Sequence, residues 1–450
     1  MIILNYCKDS IKCFFNFVLV FFLYSITICG QTQNIISNEQ LIPIDSIRII
    51  GNEITEDFVI LRELNFSVGD QISQPQIDYN QERIFSLGLF NKVELRILEE
   101  NNLSILEIDV FESWYIYPLP YLKLRDDRLS RASYGIILLY KNFRGRNETI
   151  TGLATFGYDP SYSVSYYNPV LVNGENITFG FRLGYIDTQN RNLVSLDANG
   201  KNFDYDVFHS SISLGYRLNL FNTVSVSPSF EYVEVPQNVS DLTASNSRID
   251  RIVSLNLGYE FDNRNLKQFS DNGLYSIVSL SQKGFGINNI NYGILGFEFR
   301  DYRKVVENLS AKWRGFYRHT YGEKVPFYEL SLLGDIEFVR GHKFDKREGN
   351  NFILTSLEFN YPIVKEWNLS LDLPLLPKSL TSARIGIYAN LFVDAGTTYN
   401  NRESLTLRSF DSGWGCGFTL LILPYNAFRF EYAFDEFGKG EFLIESGFSF

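Results

Sequence analysis

The chain reads as mainly β: a transmembrane antiparallel β-barrel of about 16 strands, preceded by one small α+β domain. Three observations lead there. From Trp114 onward, segments of about ten residues alternate apolar and polar side chains, the period of two that a strand with one lipid face and one lumen face requires. Aromatic residues make up 16% of the chain, with 39 Phe and 28 Tyr against one Met. So many large rings on one strand face are hard to hide without lipid. Past residue 30 no stretch is long and apolar enough for a spanning helix.

Residues 1–30 read as a secretory signal. Lys8 and Lys12 precede an apolar run from Phe14 to Ile28, and Gly30 stands before Gln31. The run is short and poorly flanked for a membrane anchor. Ile26-Thr27-Ile28 lacks the small residues expected before a lipid-modified Cys29. Cys7 and Cys13 also fall inside this segment, so Cys416 alone persists after processing and no intrachain disulfide is expected. Residues 31–42 form a polar leader.

Residues 43–112 read as β-α-α-β-β. Ser46 to Ile50 is a short strand. Thr55 is placed to cap a helix with Glu56 and Asp57 in its first turn, where negative charge suits the dipole. Gly69-Asp70 is a turn. Ser73 with Gln76 makes a capping box, with Pro75 in the first turn of a second helix that runs to about Leu87 and stops at Gly88. Val93 to Leu98 and Ser104 to Val110 form a hairpin around Asn101-Asn102.

Residues 113–450 carry the barrel. In Val253 to Phe261 every odd position is apolar, and Phe428, Phe430, Tyr432 and Phe434 alternate with Arg429, Glu431 and Ala433. Strands centre near residues 119, 136, 152, 166, 181, 212, 228, 255, 277, 295, 312, 356, 390, 416, 429 and 446. The small domain comes first and is expected in the periplasm. Odd-to-even connections are then external and longer, as at 188–204, 235–248 and 320–350, whereas Asn173-Gly174 and Pro424-Tyr425 are short periplasmic turns. Two periplasmic links, near 262–272 and 362–382, are longer than this rule predicts.

Parity also assigns faces. Leu357 and Phe359 toward lipid put Glu358 in the lumen, and Ile387, Leu391 and Val393 toward lipid do the same for Asp394. Their strands are neighbours. The long loop between His319 and Asn351 carries Val339-Arg340-Gly341-His342. An arginine folded into the lumen there has two carboxylates available, and Gly341 lets the backbone turn without a Cβ. On these grounds alone the two acids are better read as ordinary lumen charges, which barrels have in plenty.

Further residues carry a resemblance. Gly69-Asp70, Ser86-Leu87-Gly88-Leu89-Phe90 and Val93 resemble the POTRA pattern. Val325-Pro326-Phe327-Tyr328-Glu329, Phe338 to His342, Ser356 to Phe359, Phe392-Val393-Asp394-Ala395-Gly396 and terminal Phe450 follow in order on the barrel. Asp262-Asn263-Arg264-Asn265 before Asn272-Gly273 resembles an aspartate–arginine turn. Together these resemble the BamA/TamA superfamily of outer-membrane assembly and translocation barrels with periplasmic POTRA domains. The resemblance implies a loop lock built from Val339, Arg340, Gly341 and His342 against Glu358 and Asp394, and a C-terminal assembly signal at Phe448 and Phe450. His342 departs from the aromatic Phe or Tyr usual there; it keeps a flat ring and adds titration near about pH 6.5.

The implied function is insertion of outer-membrane proteins, with the POTRA domain binding extended clients and a weak seam between the first and last strands, about 114–124 and 441–450. The resemblance implies the outer-membrane bilayer and unfolded outer-membrane or secreted proteins as partners, and admits accessory periplasmic or lipoprotein subunits. The alternative is a secretion pore that exports one dedicated protein through the lumen. Such pores usually carry two POTRA domains and often an N-terminal plug helix, and neither is read here. A formal charge of −11 without a basic block argues against nucleic acid. No nucleophile–base–acid set indicates an enzyme. Gly413, Gly415 and Gly417 alternate along a strand and so do not form a phosphate loop. No metal or other cofactor is expected; His209 and His319 are isolated.

Overall fold

The computed structural model describes residues 41–125, 128–172, 174–334, 337–401 and 403–448. The expected signal, most of the leader, Ser449 and Phe450 lie outside the described residues.

The small domain is a three-stranded sheet backed by two helices. Strand β1 (Ser46–Ile50) pairs parallel with β3 (Leu103–Glu112), which pairs antiparallel with β2 (Phe90–Glu100). Asn101 and Asn102 take positive φ in the β2–β3 turn, as a tight hairpin between right-twisted strands requires. Helix α1 (Asp57–Leu61) starts later than the acidic cap signal suggests. Thr55 does not cap it, because its hydroxyl is drawn to the carboxylate of Glu112 instead. Helix α2 (Gln74–Phe85) opens on the expected capping box, with Ser73 N–H donating to Gln76 Oε1. It ends two residues before Leu87, and Gly88 at φ +68° carries the chain into β2.

The rest is one 16-stranded antiparallel sheet in simple up-and-down order. The strands are β4 (Ile116–Arg125), β5 (Arg128–Phe143), β6 (Glu148–Gly157), β7 (Ser161–Asn168), β8 (Ile177–Gln189), β9 (Asp204–Arg217), β10 (Asn222–Glu234) and β11 (Ile249–Asp262). They continue with β12 (Gly273–Lys283), β13 (Tyr292–Val306), β14 (Leu309–Gly322), β15 (Asn351–Ser370), β16 (Ser382–Tyr399), β17 (Asp411–Leu423), β18 (Asn426–Asp435) and β19 (Gly440–Ser446). Each covers one of the expected strand centres. The faces follow the alternation: Val253, Leu257 and Tyr259 on β11 and Leu391 and Val393 on β16 are exposed outward, while Glu358 and Asp394 are buried inside. Free Cys416 lies on the outer face.

The final strand is shorter than the expected 441–450. It stops at Ser446, because Gly447 at φ +125° breaks the extended path. Phe448 then packs against the apolar cluster at the end of the barrel that carries the small domain. Among the described residues, β4 and β19 share no ladder. The two sheet ends meet below that gap. Tyr117 of β4 lies edge-on to Tyr425 in the β17–β18 turn, with ring centres 6.1 Å apart. One carbonyl, that of Ser379, accepts hydrogen bonds from Trp114 N–H, Asn91 Nδ2 and Tyr425 Oη.

The two unexpectedly long links have a physical reason: both hold the small domain. In 263–272, the carbonyl of Asn263 accepts from Tyr79 Oη at 2.9 Å, and Lys267 N–H donates to Ser86 Oγ. Leu266 and Phe269 join Ile60, Ile84, Phe85 and Leu89 of the small domain, and Leu421, Leu423 and Ala427 of the barrel, in one continuous apolar cluster. The expected aspartate–arginine turn sits at the root of this link. Arg264 grips Asp262 through two contacts of 2.9 and 3.0 Å and lies over the Tyr275 ring. In 371–381, Ser379 makes the three-donor junction above.

Charge completes the docking. Glu63 accepts from Arg83 at 2.8 Å and from Arg217 of β9 at 2.9 Å, and Glu82 holds Arg384 of β16 at 2.9 Å. Burial disfavours a charged Glu63, but Arg217, Lys267 and Arg83 outweigh it and hold its carboxyl below the usual 4.5. The contribution of this depressed group is therefore complete above about pH 4.5 and is lost as pH falls through its lower folded value. Glu63→Gln strands two guanidinium groups and is expected to weaken docking by about 3 kcal/mol. Hydrogen exchange in α1 and α2 checks this: faster exchange in the variant at pH 7, and in the parent only in acid. Equal protection in both proteins at pH 7 would contradict it.

Candidate functional site

At the other end of the barrel, the β14–β15 loop folds back into the lumen. Its first part crosses to the β9–β12 wall. Phe327 lodges edge-on against Phe203 and Tyr205, and Tyr328 donates to Asp250. Glu329 meets Arg318 at 3.0 Å and also Lys283, which holds Glu231 at 3.0 Å. A two-strand ladder, Ser331–Leu333 with Arg347–Gly349, stiffens the loop base. Its tip then carries Arg340 to the opposite wall.

Arg340 is 5% exposed. Nε and Nη2 fork onto Asp394 at 2.7 and 2.8 Å. Nη1 reaches Glu358 at 3.0 Å and Glu431 at 3.1 Å, and Nη2 also donates to Ser356 Oγ at 2.9 Å. All five N–H donors of the guanidinium thus have acceptors. Its carbon stands 3.6 Å from the centre of the Phe392 ring, a close cation–π contact. Burial disfavours the charge on Arg340, yet the carboxylates, Asp394 foremost, outweigh it and hold the group more firmly protonated than usual.

Register explains how these residues meet. Ser356 pairs with Asp394, and Asp394 with Gly413, across three adjacent strands. The loop tip lies directly on this row. A Cβ at Gly413 would fall 1.7 Å from the Arg340 carbonyl oxygen, so only glycine admits the loop backbone there. Gly341 turns the chain at φ +99°, a conformation that side chains resist. Val339 is buried with Leu333, Phe352 and Leu354. His342 is buried beside the lock, with Nδ1 3.0 Å from Asp345 and Nε2 2.7 Å from Glu436. Burial opposes its charge, but those hydrogen bonds prevail and raise its pKa above the ordinary 6.5.

The structure therefore brings Arg340, Glu358 and Asp394 together, and adds Glu431, Ser356, Phe392 and Gly413, which sequence reasoning did not assign to the lock. Glu431 was within reach: it alternates with Phe430 and Tyr432, so parity alone turns it inward. Gly413 carried a weaker signal in the alternating glycines. Glu329 meets Lys283 only through the tertiary path of the loop. Phe448 stands apart from this site, at the small-domain end, and Phe450 lies outside the described residues.

Comparisons with known proteins accord with this geometry. A family profile described as the Omp85 superfamily domain matches residues 142–450, and the POTRA profile, described as a surface antigen variable number repeat, matches residues 42–113. A crystal structure of BamA from Haemophilus ducreyi lacking POTRA domains 1–3 is similar at 18% identity and a TM-score of 0.52, over 90% of this chain and 84% of that one. CdiB from Escherichia coli is similar at 12% identity and a TM-score of 0.51, over 90% and 75%. No curated protein matches.

Arg340→Ala leaves three buried carboxylates around an empty centre. The loop is expected to lose about 3–5 kcal/mol of anchoring, the cost of breaking a buried pair from one side. Arg340→Lys keeps the charge but loses the fork and falls between. Protease cleavage within residues 323–350, with heat-modifiable gel migration as the folding control, measures this. Parent-like resistance in Arg340→Ala would refute it.

Proposed function

This chain belongs to the Omp85 superfamily, and on that premise we propose that it inserts client proteins into the outer membrane through the gap between β4 and β19. Members of the superfamily are outer-membrane β-barrels with periplasmic POTRA domains, and they serve assembly or transport rather than catalysis. The end of this barrel that carries the small domain is therefore the periplasmic one.

The observation that carries the reading is the unlaced edge. Among the described residues, β4 and β19 make no ladder to each other. Backbone groups left open at membrane depth cost several kcal/mol each, since lipid cannot hydrogen-bond them. A client strand satisfies them by adding to the edge, so pairing and insertion become one step. The seven-residue β19, ended by Gly447, offers a short final ladder to displace. On the periplasmic side, β1 is an edge strand of the small sheet and offers an extended client a first place to pair. Delivery through the lumen meets more obstacles. It requires Arg340 and the Glu329–Lys283 contact to release at one end, and the docked domain with Phe269 to withdraw at the other.

A scan of cysteine pairs separates the two routes. One cysteine is placed between Leu119 and Lys123 on β4, the other between Phe442 and Ser446 on β19, in a Cys416→Ser background. A pair that oxidises brings the strands within disulfide reach. Tethering is expected to stop client insertion in cells while the barrel stays folded by gel migration. Parent-level client delivery by a fully oxidised pair would instead assign export through the lumen.

A further inference from the structure

Next to Arg340, but separate from its carboxylates, three groups from distant parts of the chain converge at the outer rim. They are His342 on the loop, Asp411 at the start of β17, and Glu436 in the β18–β19 turn, with their ligating atoms all within 4.8 Å of one another. His342 and Asp411 are each 7% exposed. We propose that this is a binding site for a divalent transition metal ion, zinc by its chemistry, that staples the loop to the last three strands.

Three features point to a cation. Asp345 lies 3.0 Å from Nδ1 of His342, where an outer carboxylate orients an imidazole so that Nε2 is the nitrogen left to a ligand. That nitrogen faces Glu436 Oε2 at 2.7 Å. A proton serves that single contact, whereas a metal ion serves Nε2, Glu436 and Asp411 together. A tetrahedral zinc holds its ligand atoms roughly 3.3 Å apart, and the separations here run from 2.7 Å to at most 4.8 Å. The third feature is an acid without a full set of partners. Glu441, which interacts electrostatically with Lys343, Asp345 and His342, keeps Oε1 buried with no hydrogen-bond partner among the described residues.

The facing cations do not occupy the centre. Arg347 bonds Asp411 from a largely solvated position, 42% exposed, and Lys343 leans toward Glu445. The nitrogen ligand selects zinc over calcium or magnesium, which take oxygen donors. Sequence spacing could not reveal the site, because His342, Asp411 and Glu436 are far apart along the chain and follow no metal motif. The inference goes beyond client insertion and does not depend on it.

Isothermal titration of zinc chloride into the full chain, folded in detergent and stripped with chelator, tests it. One saturable site per chain is expected. His342→Gln and Glu436→Gln are each expected to weaken it at least about tenfold, and magnesium should not compete. Glu436 lies at the solvent edge, so its variant keeps the test valid if His342→Gln fails to fold. Cobalt substitution should give the visible absorption of a tetrahedral site. Absence of saturable zinc binding, parent-like affinity in Glu436→Gln, or equal binding of magnesium would overturn the assignment.

Discussion

Three carboxylates crowd one side of this barrel wall, and a single guanidinium makes their proximity tolerable. Asp394, Glu358 and Glu431 lie on three different strands, and Arg340 reaches all of them. Without the cation, their mutual repulsion in a partly dry lumen would push the strands apart or force protonation. With it, the loop backbone is drawn so close to β17 that only a glycine fits at position 413. Loop path and glycine placement thus follow from one ion cluster that the strand register assembles. Lys312, 4.0 Å from Glu358, and Arg429, 4.0 Å from Glu431 and bonded to Glu445, add further positive charge beside the cluster.

The end that carries the small domain obeys a related rule with different means. There the small domain is not a pendant on a linker. Its helices share an apolar cluster with the barrel and exchange charge at Glu63–Arg217 and Glu82–Arg384. Phe269 rises from the docking link to lie beneath the Lys312 ammonium at 3.6 Å, and Lys312 neighbours Glu358 of the Arg340 cluster. A chain of contacts therefore runs from the docked domain through the lumen to the loop.

Much of this was legible in the sequence, because side-chain direction in a strand has a period of two. Glu358 and Asp394 point inward whatever the tertiary detail, and every strand centre follows from the same alternation. Glu431 was equally legible by parity, though its strand drew attention for its aromatics. Two of the misses share a cause, a tertiary partner overriding a local signal. Thr55 carries a helix-cap signal but finds a carboxylate 57 residues away. The long links at 263–272 and 371–381 look anomalous in a chain read strand by strand, since the domain they hold lies far off in sequence. The last strand ends early because Gly447 adopts a backbone that alternation does not encode.

The junction at Ser379 has a consequence for how this protein tolerates change. Three donors, from the small domain, the segment leading into the first barrel strand and the β17–β18 turn, meet at a main-chain oxygen. No substitution at position 379 deletes that atom, so the serine is free to drift while the junction persists. The evolutionary burden falls on the donors. Trp114 contributes a backbone N–H and is similarly insulated, leaving Asn91 and Tyr425 as the side chains through which mutation can act on the base of the seam.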